Sequence, residues 1–366
     1  MDSVFVPAGA LRAFAADLFA AAGLRRDHAA TVAEVLVLAN LRGVDTHGVF
    51  RVPTYLERIR AGTVALDTEP RARRVAHSAL HVDGGDAMGA VVGRFAMGEA
   101  IALARETGLA LVSVKRSGHY GMAAAYVLQA IEAGLVGVAF TNASPALPPW
   151  GGRAPLLGTS PLAVGVPAGT EHPFVLDMAM SVLARGNVYV AAQTGAALPP
   201  GLALDGEGRP TTDPRALIAG GTMLPFGGVK GAALSLLMDI FGGVLSGAAF
   251  AGAVGNPHKD FDRPQDVGHL FLAFRPDLFV SREDFLARMD HLVRTLKAQP
   301  RADGFGEILM PGERESRTRA ERERTAIPLP PSVAEALDAE AARAGHEASG
   351  GPALRPGQGR EAGASR

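Results

Sequence analysis

Among its 366 residues the chain has no cysteine. Disulfides, thiolate metal sites, iron–sulfur ligation and a cysteine nucleophile are excluded together, and the absence suits a cytoplasmic protein. Charge of one sign is lacking too: 36 Lys and Arg stand against 37 Asp and Glu. Nothing in that balance draws the chain to nucleic acid or to an anionic membrane, and a small neutral or anionic ligand fits it better. The longest apolar run, Gly231 to Gly252, is broken by Asp239 and five glycines; it reads as a buried helix with a turn, not as a membrane span. The start, Met1 to Phe5, has no basic stretch ahead of an apolar one and does not read as a signal peptide. Familiar signatures are missing as well. Gly84 to Gly89 lacks the G-x-G-x-x-G order, Gly227 to Gly231 lacks the Walker spacing, and neither H-E-x-x-H nor G-x-S-x-G occurs.

What is present is a composition of 48% hydrophobic and 20% charged residues, that of a cored globular protein of two or three domains. Apolar residues recur at helical spacing over Leu11–Ala22 and His28–Leu41, with Gly23 ending the first helix and Asp27 expected to cap the second. Short β-like runs alternate with helical ones through Leu109–Val114, Met122–Ala133, Leu135–Thr141, Leu162–Val166 and Phe174–Leu176. This predicts an α/β or α+β core. A strand over Gly268–Phe274 and helices over Arg282–Ala298 and Pro331–Ala344 follow, separated by a mixed-charge segment from Glu313 to Arg324 that reads as solvated. From Gly345 the tail has almost nothing to bury and is expected to be disordered.

With metals and thiols set aside, the chemistry falls to histidines. His47 and Arg51 stand four residues apart in a glycine-bounded turn, so a helical turn would place imidazole and guanidinium on one face, with Tyr55 extending it. Arginine grips a carboxylate as a planar fork, and histidine exchanges a proton near neutrality. A capping histidine beside a solvated arginine would look the same. His119 lies in Ser117-Gly118-His119-Tyr120-Gly121, directly after a strand, where open α/β sheets place their sites; a structural turn histidine is the rival reading. Lys230 precedes an apolar helix and could meet phosphate or carboxylate. Asp177 ends a short strand, where it could orient a histidine, meet ribose or cap a helix, and Trp150 lies in a Pro/Gly-rich loop as packing or as a lid, with packing favoured.

Taken in order, Asp45 to Arg51, Ser117 to Gly121, Thr141 to Pro145 with Trp150 to Gly152, Asp177 to Ala179, Ala184 to Gly186, Gly228 to Gly231, Gly268 to Phe271 and Met310 to Glu313 resemble one family. It is the malate/L-lactate dehydrogenase family that lacks the Rossmann fold and also holds ureidoglycolate and sulfolactate dehydrogenases, 2,3-diketogulonate reductase and cyclic imine-2-carboxylate reductases. The resemblance runs from near Leu11 to about Ala344. It implies a largely antiparallel sheet with flanking helices as the NAD(P)-binding domain over about residues 76–275, and a helical domain built from both chain ends, 1–75 and 276–344. It implies a homodimer, an NAD(P)H cofactor and a small carboxylate substrate, with no metal, nucleic acid or membrane. His47 and His119 become the candidates for proton transfer, and Arg51, Thr46 and Tyr55 those for substrate. Asn142, Ser144, Asp177, Met178, Ala179, Lys230, Gly231, His269, Leu270, Phe271, Pro311, Gly312 and Glu313 fall on the cofactor segments. Two positions depart from the family's habit: Thr46 stands where Ser is common, narrowing the pocket by a methyl, and Asn187 where Lys is frequent. A non-catalytic relative would be expected to lack His47, His119 or Arg51; all three are present.

Overall fold

The apolar runs in the middle of the chain become the central strands of one sheet in the computed structural model, which describes residues 3–345. The expected disordered tail beyond Gly345 lies outside the described residues. The helices are α1 Ala8–Ala21, α2 Arg26–Leu41, α3 Val52–Arg60, α4 Gly89–Thr107, α5 Ala124–Glu132, α6 Arg185–Thr194, α7 Pro214–Ile218, α8 Val229–Asp239, α9 Arg282–Lys297, α10 Glu313–Arg324 and α11 Pro331–Arg343. The strands are β1 Val4–Val6, β2 Arg71–Ala76, β3 Ala79–Asp83, β4 Leu109–Ser117, β5 Val136–Thr141, β6 Leu162–Val166, β7 Phe174–Met178, β8 Ala203–Leu204, β9 Pro210–Thr211, β10 Thr222–Met223, β11 Val267–Phe274 and β12 Ile327–Leu329.

Seven strands form the main sheet in the order β2-β3-β4-β11-β5-β6-β7. Only β3 and β4 run parallel, joined by the crossover helix α4; every other neighbour pair is antiparallel. The expected largely antiparallel sheet is therefore present. β11 lies at its centre, buried along most of its length, which is why its sequence reads as an unbroken apolar run. At the edge, β2 is exposed throughout and carries three arginines, a composition that discourages pairing with another chain.

The helical segments fold as their periodicity requires. Leu11, Ala15, Leu18 and Phe19 bury one stripe of α1. Gly23, at φ +96°, ends the helix in the conformation glycine adopts most readily. α2 corrects one expectation: its N-cap is Arg25, and Asp27 sits inside the first turn. Both arms of the Arg25 guanidinium hold that carboxylate at 2.6 Å. The charged segment is also more ordered than its composition suggests, since α10 spans it, with Glu313–Arg317 and Arg319–Glu323 ion pairs each joining residues four apart.

One apolar core runs from α1, α2 and α3 into α4, α5 and the sheet, and reaches β12 and α11. A smaller core, containing Leu147, Leu157, Met180 and Met223, lies by the three-stranded sheet β10-β8-β9. The chain ends meet as β1 pairs with β12, Val4 opposite Leu329 and Val6 opposite Ile327. The run from Gly231 corrects a second expectation. α8 continues through a π-turn at Ile240–Val244, but Leu236, Ile240, Val244 and Leu245 are 41–56% exposed, so one face of this apolar helix is open. Among the described residues no helix is long and apolar enough to cross a membrane.

Candidate active site

The turn carrying His47 is held from beneath by α2. Two 3₁₀ turns, Asp45–His47 and Val49–Arg51, are separated by Gly48 in an extended conformation, so His47 and Arg51 do not share one regular helix. They are brought together instead by the Arg51 Nε, which donates to the Thr46 carbonyl at 2.8 Å. Asn40, 2% exposed, accepts from the Val49 N–H at 2.8 Å and donates to Asp45 at 2.6 Å. A Cβ at Gly48 would collide with that amide. Arg322 of α10 clamps Asp45 from the other side at 2.8 and 3.1 Å. Neither carries a recognisable signal in sequence: Arg322 acts on a residue 277 positions away, and Asn40 acts only once the turn at Gly48 folds back onto it.

His119 enters from the end of β4. Its ring lies 5.6 Å from that of His47, centroid to centroid, and 16° from parallel. The Tyr55 hydroxyl, on α3, meets His119 Nδ1 at 2.6 Å and lies 3.4 Å from the His119 carbonyl. Gln265 accepts from the His119 N–H at 3.0 Å. The stretch Gly84–Gly89, which fails as a nucleotide motif, has a packing role: a Cβ on Gly89 would clash with the carbonyls of Gly118 and His119.

Burial, reinforced by the Arg51 charge, pushes the His47 imidazole down to about 3 and His119 well below its ordinary range. Both rings are therefore neutral at rest. Burial also raises Tyr55 beyond its usual range, so its hydroxyl keeps its proton. Asp177 accepts from the Ala124 N–H at 2.8 Å, and the surrounding protein wall pushes its carboxyl up to about 6.

A cleft of about 580 Å³ runs past these groups. Of the candidates in the sequence, Thr46, His47, Arg51, His119, Asn142, Ser144, Asp177, Ala179, Pro311 and Gly312 line it. His258 was not expected: its Nε2 accepts from Arg51 at 2.9 Å on the same wall. Other expected residues are placed elsewhere. Tyr55 supports His119 from behind. His269 is fully buried, bonded at 2.8 Å to both Ser117 and Thr141 and stacked 4.5 Å from Tyr120; with Leu270 and Phe271 it ties β11 to its neighbours. Glu313 directs its carboxylate to Lys297, Arg317 and the Met310 N–H, away from the cleft. Asn142 lines the cleft, yet its side chain is taken by the Gly268 N–H and the Ala249 carbonyl. Met178, Lys230 and Gly231 are not on the cleft wall, and Lys230 is exposed. Trp150 is 64% exposed near Gly228, not packed in a core. The side chains of Arg185 and Asn187 lie outside the described residues. Asp27, His28 and Glu69 are grouped closely enough to suggest a metal, but Arg25 already bridges them and none lines the cleft.

Two neutral histidines and a guanidinium on the wall of one cleft equip it to exchange a proton and hold a carboxylate, with room beside them for a further ligand. The comparisons agree. The sequence model for malate/L-lactate dehydrogenase matches residues 6–338, and the chain belongs to that family. The NAD(+) ureidoglycolate dehydrogenase of Escherichia coli O157:H7 is 37% identical over 80% of this chain and 83% of its own. The (2R)-3-sulfolactate dehydrogenase (NADP(+)) of Chromohalobacter salexigens is 37% identical over 88% and 93%. Among solved structures, malate dehydrogenase from Pyrococcus horikoshii superposes with a TM-score of 0.86 at 33% identity, covering 94% of this chain and 96% of that one. Δ1-piperideine-2-carboxylate reductase from Pseudomonas syringae does so at 0.83 and 31%, covering 92% and 99%. The chain is an oxidoreductase of the NAD(P)-dependent dehydrogenase class.

Proposed function

We propose that this protein moves a hydride between NAD(P) and C2 of a small 2-hydroxy or 2-oxo carboxylate. The observation that carries this is the stacked His47–His119 pair with Arg51 on the same cleft wall. Arg51 holds the substrate carboxylate, with His258 beside it. His119 exchanges the proton with the substrate oxygen, because it is the histidine with the closer orienting partner, Tyr55 at 2.6 Å against Thr46 at 3.2 Å on His47. The Tyr55 hydroxyl can donate to Nδ1 or, turned to the His119 carbonyl, accept from Nδ1–H; Nε2 is thereby free to give or take the proton. His47 and Thr46 position the same oxygen. The nicotinamide, when bound, supplies or accepts the hydride. Ser144, Asp177, Ala179, Pro311 and Gly312 line the part of the cleft that would hold it, and about 580 Å³ suits a ligand of that size.

Absorbance at the reduced-nicotinamide band tests this, with NADH and NADPH against pyruvate, oxaloacetate, sulfopyruvate and the cyclic imines of piperidine- and pyrrolidine-2-carboxylate. Oxidation by an oxo acid supports the reading; silence with every substrate and no cofactor binding refutes it. Turnover only with imines would favour the imine-2-carboxylate alternative, which likeness to the piperideine-2-carboxylate reductase keeps open. Arg51→Ala is expected to raise the substrate KM by ~10²-fold or more while changing cofactor KM little; equal effects would show that Arg51 is not the anchor.

The same reading makes the protein a cytoplasmic homodimer with its helical domain built from both chain ends. The open face of α8, with Leu236, Ile240, Val244 and Leu245 exposed, supports self-association. Leu236→Glu should give monomers by sedimentation, and an unchanged species would remove this face from the interface.

A further inference from the structure

The loop that leads into β11 brings His258 onto the cleft wall beside Arg51. Arginine can only donate, so the 2.9 Å contact from Arg51 Nη1 to His258 Nε2 requires that nitrogen to be unprotonated. The ring is therefore neutral, with its proton on Nδ1, which faces the Thr54 hydroxyl at 3.4 Å. Arg51 Nε donates to the Thr46 carbonyl at 2.8 Å, so the guanidinium plane is held at two points, both by neutral acceptors. A carboxylate in the place of His258 would hold the fork as firmly. It would also take up the positive charge that an incoming carboxylate needs.

The loop itself is anchored at several points. The Asn256 side chain accepts from the His258 N–H at 2.9 Å, and Asp260 accepts from the Asn256 N–H at 2.9 Å. Arg58, 3% exposed, donates to the carbonyls of Asp260 at 2.8 Å and Arg263 at 3.1 Å and lies over the Phe261 ring. Gln265 donates to the Gly255 carbonyl at 3.1 Å while its oxygen accepts from the His119 N–H at 3.0 Å. One braced loop thus touches His119 and Arg51 alike. A long arginine side chain ordered before its ligand arrives loses less freedom on binding.

We propose that His258 is a positioning residue for the reaction: it aims the Arg51 fork at the substrate carboxylate and, as a neutral acceptor, leaves the charge of that arginine to the substrate. This rests on the reading of Arg51 as the carboxylate anchor. His258 acts through Arg51, so its effect falls on the substrate and not on the cofactor.

Steady-state kinetics with the oxo acid that the wild type reduces test this in His258→Ala, His258→Asn and His258→Asp. Alanine should raise the substrate KM ~10-fold with cofactor KM unchanged, and asparagine, which still presents a neutral oxygen to Arg51, should recover part of that loss. Aspartate has nearly the shape of asparagine but pairs with Arg51, and should raise the substrate KM ~100-fold or more. A role in packing alone would not separate Asn from Asp, so equal KM values for these two overturn the proposal, as does an alanine variant within about twofold of wild type. A double-mutant cycle is the second measurement: in an Arg51→Ala background, His258→Ala should change the substrate KM less than about twofold, and the full single-mutant effect there overturns the proposal. If Arg51→Ala leaves the substrate KM unchanged, the anchor reading falls and takes the proposal with it. If Arg51→Ala is impaired while the His258 variants are not, only the role of His258 is lost.

Discussion

At the scale of single residues, the site is organised around Tyr55. Its phenol is too strongly held to ionise, so it acts on His119 as a hydrogen-bond partner only. Tyr55→Phe should lower kcat roughly 3–10-fold, the worth of one hydrogen bond, against ~10²–10⁴-fold for His119→Gln. Without an acceptor for Nδ1–H the imidazolium form is harder to reach. The limb of the pH–rate profile reporting His119 should therefore move to lower pH; a profile that stays in place would make Tyr55 a packing residue. His47, Arg51 and His119 were legible in sequence because each lies in a short polar turn between apolar segments. Asn40, Gln265 and His258 were not. Asn40 gains its role only when Gly48 closes onto it. His269 and Glu313 misled in the opposite direction, since their polar atoms are taken up inside the fold.

At the scale of elements, apolar periodicity was a sound guide wherever a segment buries one continuous face. β4, β5, β6, β11, α5 and α9 lie within a few residues of their expected bounds. β2 was illegible because it is exposed throughout and buries nothing that could leave a pattern. α8 misled because an apolar stripe does not state what covers it. Where the π-turn crosses β11 the backbones are nearly in contact, and a Cβ on Gly268 would land on the Gly242 carbonyl. Gly268→Ala should cost about 3 kcal/mol or more in urea unfolding, at the upper end for overpacking. Gly9→Ala, with nothing within 4 Å of its Cβ, should be neutral or slightly stabilising. Similar losses at the two positions would show that the close approach carries no energetic weight.

At the scale of the whole molecule, the buried histidines make stability depend on pH. His47 and His269 stay neutral in the native state down to about 3, and His119 is displaced in the same direction, whereas all three protonate near 6.5 once unfolded. The unfolded chain then binds more protons, so stability falls as pH drops from about 6.5 toward 3, by up to roughly 1.4 kcal/mol per pH unit for each histidine. Asp177, raised from 3.8 to about 6, works against this, because its native form holds a proton that the unfolded chain releases. Asp290 and Glu313, both held at about 2, add to the loss below the usual carboxylate range. Urea unfolding from pH 7 to 4 should show a steady decline, and a flat profile would contradict the buried-neutral assignment.

The clasp between β1 and β12 has a consequence for biosynthesis. Val4–Val6 leaves the ribosome more than three hundred residues ahead of its partner, Ile327–Leu329. At ~5–20 residues per second, β1 waits tens of seconds for its complement. A longer apolar strand held unpaired for that time would invite pairing with neighbouring nascent chains; at three residues, β1 offers them little to hold.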